Sequence, residues 1–125
     1  MDLCNNSKLF KLPELCIIGG DYKERYFRIN DLDNGGFMDT SNLEGKFALI
    51  PYGNRNGQPV YKCDLTTDPN DNTIFLLTLT SDDTINLSGK YIYQISIKAS
   101  ETKQQSFQGI MIIDRNIYPN AFASI

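Results

Sequence analysis

Residues 79–98 read LTSDDTINLSGKYIYQISIK, and this stretch decides the fold. It opens with a polar loop, Ser81, Asp82, Asp83 and Thr84, which ends at Gly89. From there the side chains alternate. Tyr91, Tyr93, Ile95 and Ile97 fall on one side, Lys90, Gln94, Ser96 and Lys98 on the other, with Ile92 out of step. Successive side chains of a strand point to opposite faces, so period two marks a half-buried antiparallel strand. Gly89 and Tyr91 behind a polar loop have the pattern of a tyrosine corner, in which a hydroxyl at the start of a sandwich strand bonds back to the preceding loop. The stretch speaks to architecture and carries no chemistry.

Outward from it, other short strands are separated by turn signals. Residues 15–18 form a strand stopped by Gly19 and Gly20, and residues 22–30 alternate, with Phe27 and Ile29 on one face. The run Asp31 to Gly36 is a turn, where Asn-Gly and Gly supply positive φ. A strand over 46–52 and a partner over 59–64 flank the turn at Asn54–Gly57. A polar stretch over 66–72 precedes a strand over 73–80 with Phe75, Leu77 and Leu79 on one face. Residues 101–105 turn the chain into a last strand over 106–114. About seven strands, no helical period and no internal repeat predict an all-β fold, an immunoglobulin-like antiparallel β-sandwich. The sandwich domain is expected over 15–115, with an N-terminal arm over 1–14 (Leu9, Phe10, Leu12) and an apolar C-terminal tail over 116–125.

Composition narrows the function classes. The chain has 125 residues, enough for one domain with one core. Twelve basic against fifteen acidic residues give a net charge of -3, which argues against nucleic acid or an anionic membrane surface as partner. Cys4, Cys16 and Cys63 lack zinc-type spacing. A Cys16–Cys63 disulfide is open, but idle thiols are the expectation for a protein made in the cytosol. The first residues show no basic leader before an apolar run, so no signal peptide is expected. The apolar runs 74–77 and 110–113 are too short to span a bilayer.

The chain contains no histidine, which removes the commonest general base and metal ligand. No phosphate-cradling glycine motif occurs. Asp82 and Asp83, with Glu101 or Asp64 brought near, are the available carboxylate pairs, and adjacent aspartates in a polar loop read as solvated turn residues. Residues 31–36 begin like a calcium loop but carry Gly35 at the fifth position and Asn42 at the twelfth. That turn, and the Asp64, Asp68, Asp71 group, read as Asx turns. The expectation is a protein without catalytic residues, cofactor or metal.

Binding surfaces are the remaining source of function. In residues 106–114, Phe107, Met111 and Ile113 share one face, yet Ile110 and Ile112 make the other face apolar too. Both faces need cover. Either the tail (Ile117, Tyr118, Phe122, Ile125) folds back over Ile110 and Ile112, or another subunit covers them. Tyr22 and Tyr26, opposite Phe27 and Ile29, are further interface candidates. A sugar-binding alternative needs an exposed aromatic platform, for which Tyr52, Tyr61 and Phe37 are the residues available.

The order of features also resembles a known family. Gly20-Asp21-Tyr22 leads into a strand and the DLDNGG turn; FALIPYGNRNGQPVY forms a hairpin; Leu87-Ser88-Gly89-Lys90-Tyr91 and Gly109-Ile110-Met111-Ile112-Ile113 follow. Over about residues 19–117 this resembles small immunoglobulin-like proteins of tailed phages and prophages, especially the N-terminal domain of the phage baseplate upper protein family. The resemblance implies a virion structural protein. Its partners would be other subunits of a tail assembly or itself, and its place the virion or the cytoplasm of a bacterium carrying the prophage.

Overall fold

A computed structural model describes residues 12–31, 34–119 and 121–122. Leu9, Phe10 and Cys4 of the expected arm, and Ile125 of the tail, lie outside the described residues. The strands are β1 (Leu15–Ile18), β2 (Lys23–Phe27), β3 (Glu44–Pro51), β4 (Tyr61–Asp68), β5 (Asp71–Leu79), β6 (Gly89–Ser100) and β7 (Lys103–Asp114). A 3₁₀ turn covers Thr40–Asn42, and one helical turn, α1, covers Ser81–Thr84.

Hydrogen bonding links the strands in the order β1-β7-β6-β3-β4-β5-β2. β4 makes this one continuous, wrapped sheet, open between its end strands β1 and β2, rather than two separate sheets. Its first part, through Leu65, pairs with β3, and its second, from Thr66, pairs with β5. The β3-β6-β7 group and the β4-β5-β2 group therefore face each other as a sandwich. Their connectivity is that of immunoglobulin-type sheets, where the third, sixth and seventh strands form one layer and the second, fifth and fourth the other. One pairing departs from the antiparallel expectation: β1 runs parallel to β7, Leu15 beside Met111 and Ile18 beside Asp114. The chain reaches β2 through the Gly19-Gly20 turn, so β1 and β2 end up on different layers.

The core is built from the inward positions of both layers. Phe47, Leu49, Phe75, Leu77, Leu79, Tyr93, Ile95, Met111 and Ile113 are all buried. Burying each large apolar side chain is worth about 1.5–3 kcal/mol. The second cysteine of an antibody-type domain would sit two residues after the corner tyrosine. Here that place holds Tyr93, and its ring meets Phe27 at 6.3 Å and stacks on Phe47 at 6.0 Å. An aromatic cluster thus joins the layers where such domains use a disulfide. Cys16 and Cys63 are both free thiols, Cys16 exposed and Cys63 half-buried, so the Cys16–Cys63 bridge is not formed.

Several boundaries differ from the expectation. The β6–β7 turn is Glu101-Thr102 alone, and β7 starts at Lys103 rather than at residue 106. β4 continues through Thr66 and Thr67, where a polar loop was expected. β-branched threonines suit a strand as well as a loop, and Thr67 turns inward to meet buried Thr40, Oγ1 to Oγ1 at 2.9 Å. The loop at Ser81 is instead a helical turn, because the Asp83 carboxylate accepts from the Thr80 amide at 2.7 Å and satisfies its first free donor.

Candidate interaction surface

The hairpin β6–β7 carries the outer face that the sequence marks as two-sided. Cross-strand register places Ile50, Ile92 and Ile110 in one row, and Lys90, Ile112 and Cys16 in the next. Ile92, out of step in the alternation, is 4% exposed although it points away from the core. Ile50 and Ile110 flank it across the strands, and both are half-buried, as is Ile112. Ile18, one row further, is 47% exposed. The result is a continuous isoleucine strip across β3, β6, β7 and β1. Toward the hairpin turn the same face becomes polar. Gln108 Nε2 donates to Gln94 Oε1 at 2.9 Å, Gln94 Nε2 to Ser96 Oγ at 2.9 Å, and the Ser96 and Ser106 hydroxyls pair at 2.9 Å.

The other interface candidates lie elsewhere. Ile117, Tyr118 and Phe122 are 87%, 69% and 101% exposed. They follow Asn116, whose side-chain amide donates to Gly19 O at 2.8 Å, at the end of the sandwich where α1 sits. The described tail residues therefore do not fold back over Ile110 and Ile112. A tight bond to the β1–β2 turn diverts the chain before it can reach that strip. Tyr22 and Tyr26 stand on the outer face of the opposite layer, 57% and 58% exposed. The seven candidates thus occupy three surfaces, and only Ile110 and Ile112 belong to the isoleucine strip.

The corner residues have defined roles. Gly89 adopts φ 114°, a conformation that favours glycine. Tyr91 Oη donates to Ser88 O at 2.9 Å and accepts from Ser88 N at 3.1 Å, tying the loop to β6. Tyr93 reaches further: its hydroxyl donates to Pro13 O at 2.6 Å, fastening the chain that enters β1. That reach requires Gly109 on β7, where a Cβ would stand 2.7 Å from the Tyr93 ring. Burial raises the Tyr93 hydroxyl well above its ordinary pKa, so it remains a donor at any physiological pH.

The sugar-platform residues do not share a surface. Tyr52 is covered by cations, with Lys90 Nζ 4.1 Å and Arg55 Cζ 4.7 Å from its ring centroid. Tyr61 packs on Phe47 at 6.2 Å and is half-buried. Phe37 bridges to Asn30 beyond the end of β2, at the opposite end of the sandwich, and Arg28 lies 5.2 Å over its ring. None of the three offers a free flat face in company with another.

The carboxylates are engaged locally. Asp31 accepts from the Asn34 amide at 3.1 Å and Asp68 from the Asn70 amide at 2.9 Å. Asp64 pairs with Lys46 at 2.6 Å. Asp71 accepts from Thr73 and from Arg28, and these bonds, Thr73 first, lower its pKa to about 2. No group of three or more metal-binding side chains occurs among the described residues. A hollow of about 570 Å³ opens at the hairpin end, lined by Ile29, Met38, Leu43, Ile97 and Phe107 among others.

No family model and no curated protein matches the chain. Among solved structures it is similar to the N-terminal domain of phage TP901-1 ORF48, with a TM-score of 0.52 and 12% identity, over 85% of this chain and 88% of that one. At that identity the two share a fold. The resemblance to a domain of a phage protein therefore holds at the level of architecture.

Proposed function

We propose that this chain is a non-enzymatic structural module of a phage or prophage tail or baseplate, acting through protein–protein contacts on the outer face of β3, β6, β7 and β1. The shared fold with the N-terminal domain of a phage protein, across most of both chains, carries the reading. The isoleucine strip supports it. Ile18 is exposed and Ile50, Ile110 and Ile112 are half-buried on this outer face, and the described tail does not lie over them. Partners would be another copy of the chain or other subunits of the assembly. The absence of histidine from the sequence fits a role without catalysis, and the net charge of -3 fits protein rather than nucleic acid as partner. The covered-platform geometry at Tyr52 and Phe37 gives the sugar-binding alternative no observation in its favour.

Light scattering after size exclusion, over a range of concentrations, tests the proposal. The expected result is a species heavier than the 14.2 kDa monomer that falls to monomer with Ile112→Asp and does not with Phe122→Ala. A charge placed in a closed apolar contact costs several kcal/mol, so the loss should be complete. A strict monomer at high concentration, or an Ile112→Asp protein that associates like the wild type, would remove self-association through this strip.

A further inference from the structure

The outer face of the β2 layer has a different character. Tyr22, Glu24 and Tyr26 alternate outward on or just before β2, an edge strand. Both tyrosine hydroxyls turn to the one carboxylate: Tyr22 Oη donates to Glu24 Oε1 at 3.2 Å and Tyr26 Oη to Glu24 Oε2 at 3.4 Å. Each oxygen keeps acceptor capacity, since a carboxylate has about four lone-pair sites. On β5 the register puts Thr78 beside Glu24 and Leu76 beside Tyr26. Two of the neighbouring cations, Arg25 and Arg28, are used elsewhere, and Lys23 lies on the alternate side of β2. Arg25 donates to the Glu24 backbone carbonyl at 2.9 Å, and Arg28 pairs with Asp71 at 3.0 Å. Among the described residues no lysine or arginine pairs with the Glu24 carboxylate.

We propose that Tyr22, Glu24 and Tyr26 form a seat for an arginine side chain of a partner protein. The charge and shape of the patch select that occupant. A carboxylate without a cation of its own attracts one by ion pairing. A planar guanidinium can bond both oxygens at once, which a compact ammonium cannot. Leu76, half-buried beside Tyr26, offers apolar surface for the arginine stem. Glu24 and the tyrosines already act on one another: the Glu24 charge is the first cause raising the Tyr26 hydroxyl above its ordinary pKa, and for Tyr22 desolvation comes first, followed by the hydrogen bond to Glu24 and then its charge.

The seat goes beyond the assembly reading and lies on the opposite face from the isoleucine strip. Titration with the blocked peptide acetyl-Gly-Arg-Gly-amide, followed by the NMR ring signals of Tyr22 and Tyr26, tests it directly. Saturable shifts at both rings are expected, at least fivefold weaker with the citrulline analogue, with Glu24→Gln and, followed at the Tyr22 ring, with Tyr26→Leu, and unchanged with Asp82→Asn. Unmoved ring signals, or equal affinity for citrulline or in Glu24→Gln, would overturn the proposal. Ile112→Asp should leave the titration unaltered, so failure of the seat and failure of the assembly strip are read separately.

Discussion

The β6–β7 hairpin has an inner and an outer face, and the two are held by different means. Inside, aromatic and aliphatic side chains close on one another, and the polar atoms that must be buried reach defined partners: Tyr91 to Ser88 and Tyr93 to Pro13. Outside, the same two strands carry isoleucines toward β1 and a glutamine–serine ladder toward the turn. The inner face is complete within the chain. On the outer face the apolar half keeps Ile92 buried between half-buried Ile50 and Ile110 and leaves Ile18 exposed, while the polar half pairs its own side chains. The same strand pair thus presents two kinds of surface, and the apolar one is where contact is proposed.

The inner face breaks most easily at Gly109. Its missing Cβ leaves room for the Tyr93 ring, and an added methyl would stand 2.7 Å from two ring atoms and 2.9 Å from the hydroxyl oxygen. The ring is fully buried and held at both its face and its hydroxyl, so it cannot swing away. Overpacking plus a lost hydrogen bond sets the cost of Gly109→Ala at about 2–4 kcal/mol. A lower urea midpoint at unchanged slope is the expected readout. The penalty should shrink in a Tyr93→Leu background, since neighbours that share a space are not additive. Equal penalties in both backgrounds would mean that the clash is not with Tyr93.

The two tyrosines give the next comparison. Tyr93→Phe removes a bond between residues 80 positions apart in the chain and leaves a part-buried carbonyl unpaired. About 1–2 kcal/mol is expected. Tyr91→Phe removes bonds to Ser88, only three residues away in the chain, and should cost about 1 kcal/mol or less. Hydrogen exchange separates the two locally. Leu12 N, which donates to Gln108 O at 3.1 Å, should lose protection in Tyr93→Phe and keep it in Tyr91→Phe. The reverse pattern is expected at Ser88 N.

These same residues show what a sequence discloses. The alternation from Tyr91 to Ile97 is local, and so is the three-residue step from Ser88 to Tyr91; both can be read without knowing which strands pair. The bond from Tyr93 to Pro13 depends on β1 lying parallel to β7, and nothing in the composition of either strand encodes that register. Gly109 reads in the sequence only as one more position of a pattern, because its reason is a ring contributed by the adjacent strand. On the outer face, Ile110 and Ile112 were visible as a second apolar parity. Ile92 gave the same signal as a break in alternation, and Ala48 and Ile50 repeat it on β3. Only the cross-strand rows join these into one strip. The dispersal of Tyr52, Tyr61 and Phe37 has the converse cause: residue type suggested a platform, while loop geometry sent the rings to opposite ends and placed cations over two of them. Tyr22, Glu24 and Tyr26 are legible as one face by alternation alone, but the turn of both hydroxyls onto the one carboxylate is visible only in the structure.

The smallest effect marks where the outer face changes character. Ser96 and Ser106 stand directly opposite each other and share a hydrogen bond on an exposed part of the sheet. Such cross-strand pairs are worth about 0.2–1 kcal/mol relative to alanine, so Ser106→Ala should lower stability by less than about 1 kcal/mol. Its consequence for association is the sharper readout. If contact is confined to the isoleucine half, Ser106→Ala leaves the solution mass unchanged at every concentration where Ile112→Asp abolishes the heavier species. A Ser106→Ala protein that also dissociates would extend the contact over the polar ladder. Burial of that ladder would then place hydrogen-bonded serines and glutamines inside the interface, where each must find its partner across the contact as well as within the strand pair.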